Sequence, residues 1–187
     1  MRVVLIMLCA LLLATPALAD EQQFVPNSSL DADLTYWVQQ WNPNVTFTWT
    51  NEKTHSGPGA ATIVVTSVGE VWQQQVRNEG IALSAGDRYA MGIYVLAQNP
   101  VSVTLEFSDY VGGQWVQDVG VKSFIPADGQ WHLVSVDPFT ASAGAKAFRI
   151  EFDSAGTFYI DDATITPSAT PVQPSTWGGI KSLYKHK

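Results

Sequence analysis

Cysteine is all but missing from this chain. The one cysteine, Cys9, lies in the first apolar run, so everything after it lacks a disulfide, a thiol nucleophile and a thiolate metal ligand. A lipoprotein reading of Cys9 fails as well, because Leu8 before it is not small and the apolar run continues past it. Charge is sparse: Asp, Glu, Lys and Arg make up 14% of the residues, against a typical ~25%. Bases are scarcest where the acids are densest. Residues 20–166 hold all 17 acids but only six bases, a formal −11, which repels phosphate backbones and argues against nucleic acid as a partner. The three histidines, His55, His132 and His186, have no metal-ligand spacing, and neither Gly-x-Ser-x-Gly nor His-Glu-x-x-His occurs. Apolar runs are short too: Val3–Leu13 falls well below the ~20 residues that a membrane helix needs, and no later segment approaches it, so no transmembrane segment is expected.

That first run has another use. Arg2, the apolar stretch and Ala17-Leu18-Ala19 form the charged, greasy and small-x-small parts of a signal peptide over residues 1–19, which predicts a secreted or extracellular product starting at Asp20, in solution or attached to a cell surface. Aromatics are plentiful beyond it, with seven Trp, six Tyr and eight Phe in the chain. A low-charge, aromatic-rich exported domain suits neutral ligands.

From Val45 onward apolar and polar residues alternate in short stretches. Val45, Phe47 and Trp49 interleave with threonines, and the same period-2 pattern recurs at Tyr89–Val95, Val101–Phe107 and Phe148–Phe152. Ala61–Thr66, Val71–Val76, Trp131–Val136 and Thr157–Thr166 are further predicted strands. Turn chemistry separates them, as at Ser56-Gly57-Pro58-Gly59, Ala85-Gly86-Asp87, Gly112-Gly113 and Asp128-Gly129. No helical period appears in the body. Eight or more short strands with one greasy side each predict an all-β sandwich or jelly roll of two antiparallel sheets over residues 20–166.

Pro167, Pro171 and Pro174 mark residues 167–175 as a linker. In residues 176–187, Trp177, Ile180, Leu183 and Tyr184 would share one face of a short basic helix that Gly178 and Gly179 weaken. Two readings of this tail stay open: a peptide that docks on an export or surface-attachment machine, or a disordered end.

The order of motifs in the body resembles the galactose-binding-like jelly rolls, particularly the family 4 and 9 type of carbohydrate-binding module. Asn27-Ser28-Ser29-Leu30-Asp31 running to Trp37 is similar to that group's opening segment, with Leu-Asp where Phe-Glu is usual. Ser56-Gly57 before Ala60–Val65, the run Val71-Trp72-Gln73-Gln74-Gln75-Val76, Leu83-Ser84-Ala85-Gly86-Asp87-Arg88-Tyr89, Gly129-Gln130-Trp131 and Phe158-Tyr159-Ile160-Asp161-Asp162 follow in the family's order. The resemblance implies a non-catalytic module that binds a polysaccharide or glycan. It also implies a structural calcium ion held by Asp31 and Asp162 with nearby backbone carbonyls, a mixed oxygen set that calcium accepts. The plainer reading is that Asp161 and Asp162 cap a strand end.

For sugar binding, the residues to watch are aromatics with polar neighbours on an outward sheet face, since a pyranose stacks its C–H face on a ring and gives its hydroxyls to polar groups. If Tyr89, Met91, Ile93 and Val95 point inward, Tyr94 points out; by the same alternation Glu106, Arg149 and Glu151 point out. With Trp72 and Gln74, whose phase is ambiguous, Tyr94, Glu106 and Arg149 would floor a groove if their strands share one sheet. Tyr110 and Trp115, flanking Gly112-Gly113, would supply walls. Trp37, Trp49 and Trp131 are expected in the core. An enzyme is disfavoured: Glu151-Phe152-Asp153 resembles the Glu-x-Asp-x-x-Glu strand of secreted glucanases, but Gly156 stands where the third acid is required, and the chain is short for such enzymes. A structural or adhesive surface domain that keeps the fold without a groove is the competing reading.

Overall fold

Alternating apolar side chains need two sheets to hide between, and the computed structural model, which describes residues 23–168, has two. Ten strands form: β1 (Trp37–Gln39), β2 (Val45–Thr50), β3 (Ala60–Val65), β4 (Gln75–Ala82), β5 (Arg88–Ala97), β6 (Val101–Val111), β7 (Gln114–Ile125), β8 (His132–Thr140), β9 (Ala145–Phe152) and β10 (Gly156–Pro167). They pair into two antiparallel five-stranded sheets, ordered β1-β4-β9-β6-β7 and β2-β3-β10-β5-β8. This is the expected all-β sandwich. The only helical element among the described residues is a 3-10 turn at Val71–Gln73. The predicted signal peptide, nearly all of the linker and the C-terminal tail lie outside the described residues; Pro167 itself closes β10, opposite Tyr89.

The core is built from the inward phase of both sheets. Val103, Leu105 and Phe107 of β6 and Phe148, Ile150 and Phe152 of β9 face Ile63 of β3, Met91, Ile93 and Val95 of β5 and Phe158 and Ile160 of β10, all buried. Phe152 and Phe158 stack across the gap with centroids 4.9 Å apart, which couples the central strands of the two layers. The two-residue hairpin between β6 and β7 has φ of +58° at Gly112 and +83° at Gly113, the backbone that a tight primed turn demands. It places Tyr110 directly opposite Trp115.

Three sequence expectations are corrected. Val71–Val76 is not one strand: the chain makes its 3-10 turn first and enters β4 only at Gln75, which settles the phase at Trp72. Strand β7 was not anticipated, because it is an exposed edge strand and a bulge between its pairings to Phe107 and Ser108 breaks its alternation. Of the three tryptophans assigned to the core, Trp37 is there, but Trp49 is partly exposed with its indole N–H donating to Leu30 O (2.8 Å), and Trp131 is half-buried at the surface.

Candidate functional site

A groove of about 1000 Å³ lies on the outer face of the first sheet. Strand alternation decides its floor. With Val76 inward, Gln75, Arg77 and Glu79 of β4 face out; with Leu105 and Ile150 inward, so do Glu106, Arg149 and Glu151. Register lines these up in rows: Arg77, Arg149 and Glu106 stand side by side across β4, β9 and β6, and Gln75 is opposite Glu151 in the next row. The walls are aromatic. Trp72, carried on the 3-10 turn, is 51% exposed; on the far side Tyr110 is 66% and Trp115 46% exposed at the β6–β7 hairpin. The turn bearing Trp72 is fixed at its C-terminal side, by Gln75 Nε2 donating to Trp72 O and by Asn42 Nδ2 donating to Gln73 O.

Arg149 organises the floor. Its Nη1 donates to Gln75 Oε1 (2.9 Å), its Nε to Ser108 O (3.2 Å) and its Nη2 to Asp109 Oδ1 (3.1 Å), and its guanidinium lies 5.0 Å from the Trp115 ring centroid. Arg77 is committed likewise, to Glu79 and Gln40. Glu106 is 5% exposed and accepts one hydrogen bond, from Ser108 Oγ to Oε1 (3.0 Å). Burial pushes its carboxyl up, against the pull of Ser108 and Arg149. Glu151 accepts no hydrogen bond from the described residues; burial first and the neighbouring Glu106 second push it up to about 7, with Arg149 opposing. These acids stand on adjacent strands of one floor and not on opposite walls.

A raised carboxyl has a stability signature. Between the ordinary value of 4.5 and about 7 the folded chain holds a proton on Glu151 that the unfolded chain has lost, so stability falls as pH rises through this window and levels off above it. Buried Asp161, pushed up to about 6 mainly by burial, adds to the same slope below pH 6. Asp153, held low by Lys122, acts only below this range. Because Glu151 is partly solvated, its share is on the order of 1 kcal/mol. Thermal melts from pH 4.5 to 8 should therefore show a falling Tm, and Glu151→Gln should flatten the stretch near pH 6–7. An unchanged slope in the variant would mean that Glu151 is not the group responsible.

The groove gathers Trp72, Glu106, Tyr110, Trp115 and Arg149, and leaves out two of the residues assigned to it from sequence. Gln74 is fully buried beneath the loop before the turn, donating to Glu70 O (3.0 Å), because the 3-10 turn shifts the phase by one; Gln75 takes the outward place. Tyr94 belongs to β5 in the other sheet, where its ring stacks on His55 at 3.5 Å, so it cannot share a floor with Glu106 and Arg149. The groove also contains Gln40, Glu70, Gln75, Arg77, Glu79, Asp109 and Glu151, which were not assigned from sequence as binding residues.

The expected calcium ligands sit at the other sheet. Asp161 and Asp162 occupy a bulge of β10, where φ at Asp162 is +48°, and both carboxylates meet the 55–57 turn. Asp161 Oδ2 accepts from His55 N (2.8 Å) and Ser56 N (3.2 Å), while Asp162 meets His55 Nδ1 (2.7 Å) and Ser56 Oγ (2.9 Å). Asp31 Oδ1 is buried with no partner and crowds Gly57, where a Cβ would come within 1.9 Å of it. At Gly59 a Cβ would lie 2.5 and 2.6 Å from the carbonyl oxygens of Leu30 and Asp31. An orphaned carboxylate oxygen beside converging carbonyls fits a hard cation. Asp162 fits less well, since its oxygens are already engaged, and among the described residues no three His, Cys, Asp or Glu side chains converge as a metal cage.

An open groove with aromatic walls and a polar floor on a β-sandwich is a sugar-site design, and the comparison with known families decides the assignment. Residues 22–164 match the model of a carbohydrate binding domain, the family 4/9 type. The chain belongs to that family. This carbohydrate-binding domain is also similar in fold to solved modules. A family 22 xylan-binding domain from Paenibacillus barcinonensis Xyn10C is 14% identical, with a TM-score of 0.61 over 76% of this chain and 93% of that one. The C-terminal family 22 module of Clostridium thermocellum Xyn10B is 13% identical, TM-score 0.60, over 78% and 94%. A family 61 module solved with β-1,4-galactotriose is 15% identical, TM-score 0.59, over 79% and 99%. No curated protein matches the sequence of the domain.

Proposed function

We propose that the protein is an exported, non-catalytic module that binds a polysaccharide along the groove of the first sheet. The observation that carries this reading is the placement of Trp72 against Tyr110 and Trp115 around a floor of hydrogen-bonding groups. Exposed indole and phenol rings cost solvation unless something flat and partly apolar covers them, and a pyranose is such a surface. The same furnishing supports binding over a merely structural or adhesive role, for which a bare sheet face would suffice. Two further points support a binding role without chemistry: Glu106 and Glu151 do not face each other across a bond, and Asp153, beyond Glu151, is tied to Lys122 and the Ser102 amide.

The experiment is affinity electrophoresis of the full protein through gels containing polysaccharides of differing chemistry (xylan, β-galactan, mixed-linkage β-glucan and a glucosamine polymer), paired with an assay for new reducing ends. Retardation by at least one polymer with no release of product is expected. No retardation by any of them, or cleavage of a retained one, would overturn the proposal.

The family resemblance also leads us to place a structural calcium at Asp31, with the Leu30 and Asp31 carbonyls and the 161–162 pair near the 55–57 turn. The orphaned Asp31 oxygen and the raised Asp161 carboxyl support it, since a cation would relieve both. Millimolar calcium should raise Tm by several degrees over EDTA-treated protein, by mass action on the folded state, and Asp31→Asn should lose that response. Equal melting with calcium and EDTA would remove the ion from the account.

A further inference from the structure

The charge of the groove narrows its ligand. Its lining carries Glu70, Glu79, Glu106, Asp109 and Glu151 against Arg77 and Arg149 only. Both arginines are spent on protein acceptors, Arg149 on Gln75, Ser108 O and Asp109, and Arg77 on Glu79 and Gln40. Among the described residues nothing cationic in the groove is left free to greet a ligand carboxylate or sulfate, so uronates and sulfated glycans meet net repulsion. What the floor offers is acceptors. Glu106 is nine-tenths buried with one oxygen unpaired, and Glu151 beside it on β9 has no donor at all among the described residues.

A neutral hydroxyl would give such a pair hydrogen bonds but relieve neither the burial nor the repulsion by Glu106 that together hold Glu151 protonated up to about 7. A fixed positive charge removes both costs at once. A chelated metal does not fit, because among the described residues no third His, Cys, Asp or Glu converges there. An ammonium on a flat ring does, with Trp72, Trp115 and Tyr110 to take the ring face and to attract the cation.

Building on the groove as a glycan site, we propose that its ligand carries free amines, that is, a polymer containing 2-amino-2-deoxyhexose units. Glu106 and Glu151 hold the ammonium, and the aromatic walls hold the sugar. Proton linkage gives this reading a signature. At pH 5.5 the amine is charged and Glu151 is mostly protonated, so docking an ammonium beside it expels a proton; a neutral sugar only deepens its burial and expels none.

The test is titration calorimetry at pH 5.5 in two buffers of different ionisation enthalpy, with a glucosamine hexamer, its N-acetylated counterpart, cellohexaose and a galacturonate hexamer. The glucosamine hexamer should bind at least tenfold tighter than either neutral hexamer and release a sizeable fraction of a proton, while the galacturonate hexamer should not bind. Glu151→Gln should erase most of the tenfold advantage and the proton release, whereas Glu52→Gln and Asp137→Asn, exposed acids outside the groove, should erase neither. Neutral hexamers binding as tightly as the amine overturns this inference and leaves the glycan-binding reading standing. Amine binding that survives Trp72→Ala with Trp115→Ala is adhesion of a polycation to an acidic body and overturns it as well. Failure of every hexamer, together with the gel polymers, removes the underlying reading.

Discussion

Replacing Trp72 and Trp115 by alanine should cost the protein about 30-fold in polysaccharide affinity for each substitution and close to three decades for the pair, with Tm moved by no more than a degree or two. An exposed ring on which a sugar stacks behaves as a binding hot spot, worth about 2 kcal/mol, and rings on opposite walls share no neighbour through which to compensate. Neither ring is part of the core, since about half of each is open to solvent, so folding loses little. Tyr94→Ala provides the contrast. That ring packs on His55 over the second sheet, so its loss should lower stability and leave binding intact. Isothermal titration with the polymer that retards the protein, run beside melting curves, separates the two outcomes. Undiminished affinity in the double variant, or a binding defect in Tyr94→Ala equal to that of Trp72→Ala, would move the site off the first sheet.

The layers of the sandwich were legible because burial on one side writes a period of two. Val101, Val103, Leu105 and Phe107 alternate without a fault and form β6 as expected; Tyr89 to Val95 do the same in β5. What alternation alone does not say is which strands are neighbours. Tyr94, Glu106 and Arg149 all point outward, yet β5 sits between β10 and β8 in one sheet while β6 and β9 are paired in the other. Outward facing is a property of a strand; sharing a floor is a property of topology, fixed by long-range pairing that no local window contains.

The β4 region failed for a local reason. Val71 and Val76 fall on opposite phases of a single strand, and the conflict was itself the signal of a break: a 3-10 turn ends before Gln75, and counting back from inward Val76 puts Gln75, Arg77 and Glu79 in the groove. Glu151 was read as outward but not as a site residue, because its weight comes from burial in the folded sheet and from Glu106 on the paired strand, 45 positions away in the sequence. The hairpin aromatics stood out because they flank Gly112-Gly113, a turn signal visible in the sequence without the β6–β7 register that sets them opposite each other.

Arg149→Met should do more damage than the loss of a single floor residue would suggest. The guanidinium holds Gln75 on the floor, Asp109 at the rim and the Ser108 carbonyl between them, and it lies against the Trp115 ring, so one truncation frees a wall and a floor together. Removing it leaves Ser108 O and Gln75 Oε1 without that donor inside the sheet face, takes from Glu151 the neighbour that favours its charged form, and leaves Glu106 with only Ser108 in that role. Because Asp109 is partly exposed, the loss in stability should stay near about 2 kcal/mol, several degrees in Tm, while affinity falls more than tenfold. Arg149→Lys keeps the charge but not the planar fork, and a point charge cannot satisfy three diverging acceptors; it should recover most of the melting temperature and little of the affinity. The decisive readout is coupling. If Arg149 acts by seating Trp115, Arg149→Met in a Trp115→Ala background should cost much less affinity than it does alone, and the tryptophan emission of Arg149→Met should shift toward that of a fully solvated indole. Additive losses with unchanged emission would leave Arg149 a structural strut and make the ring's position independent of it.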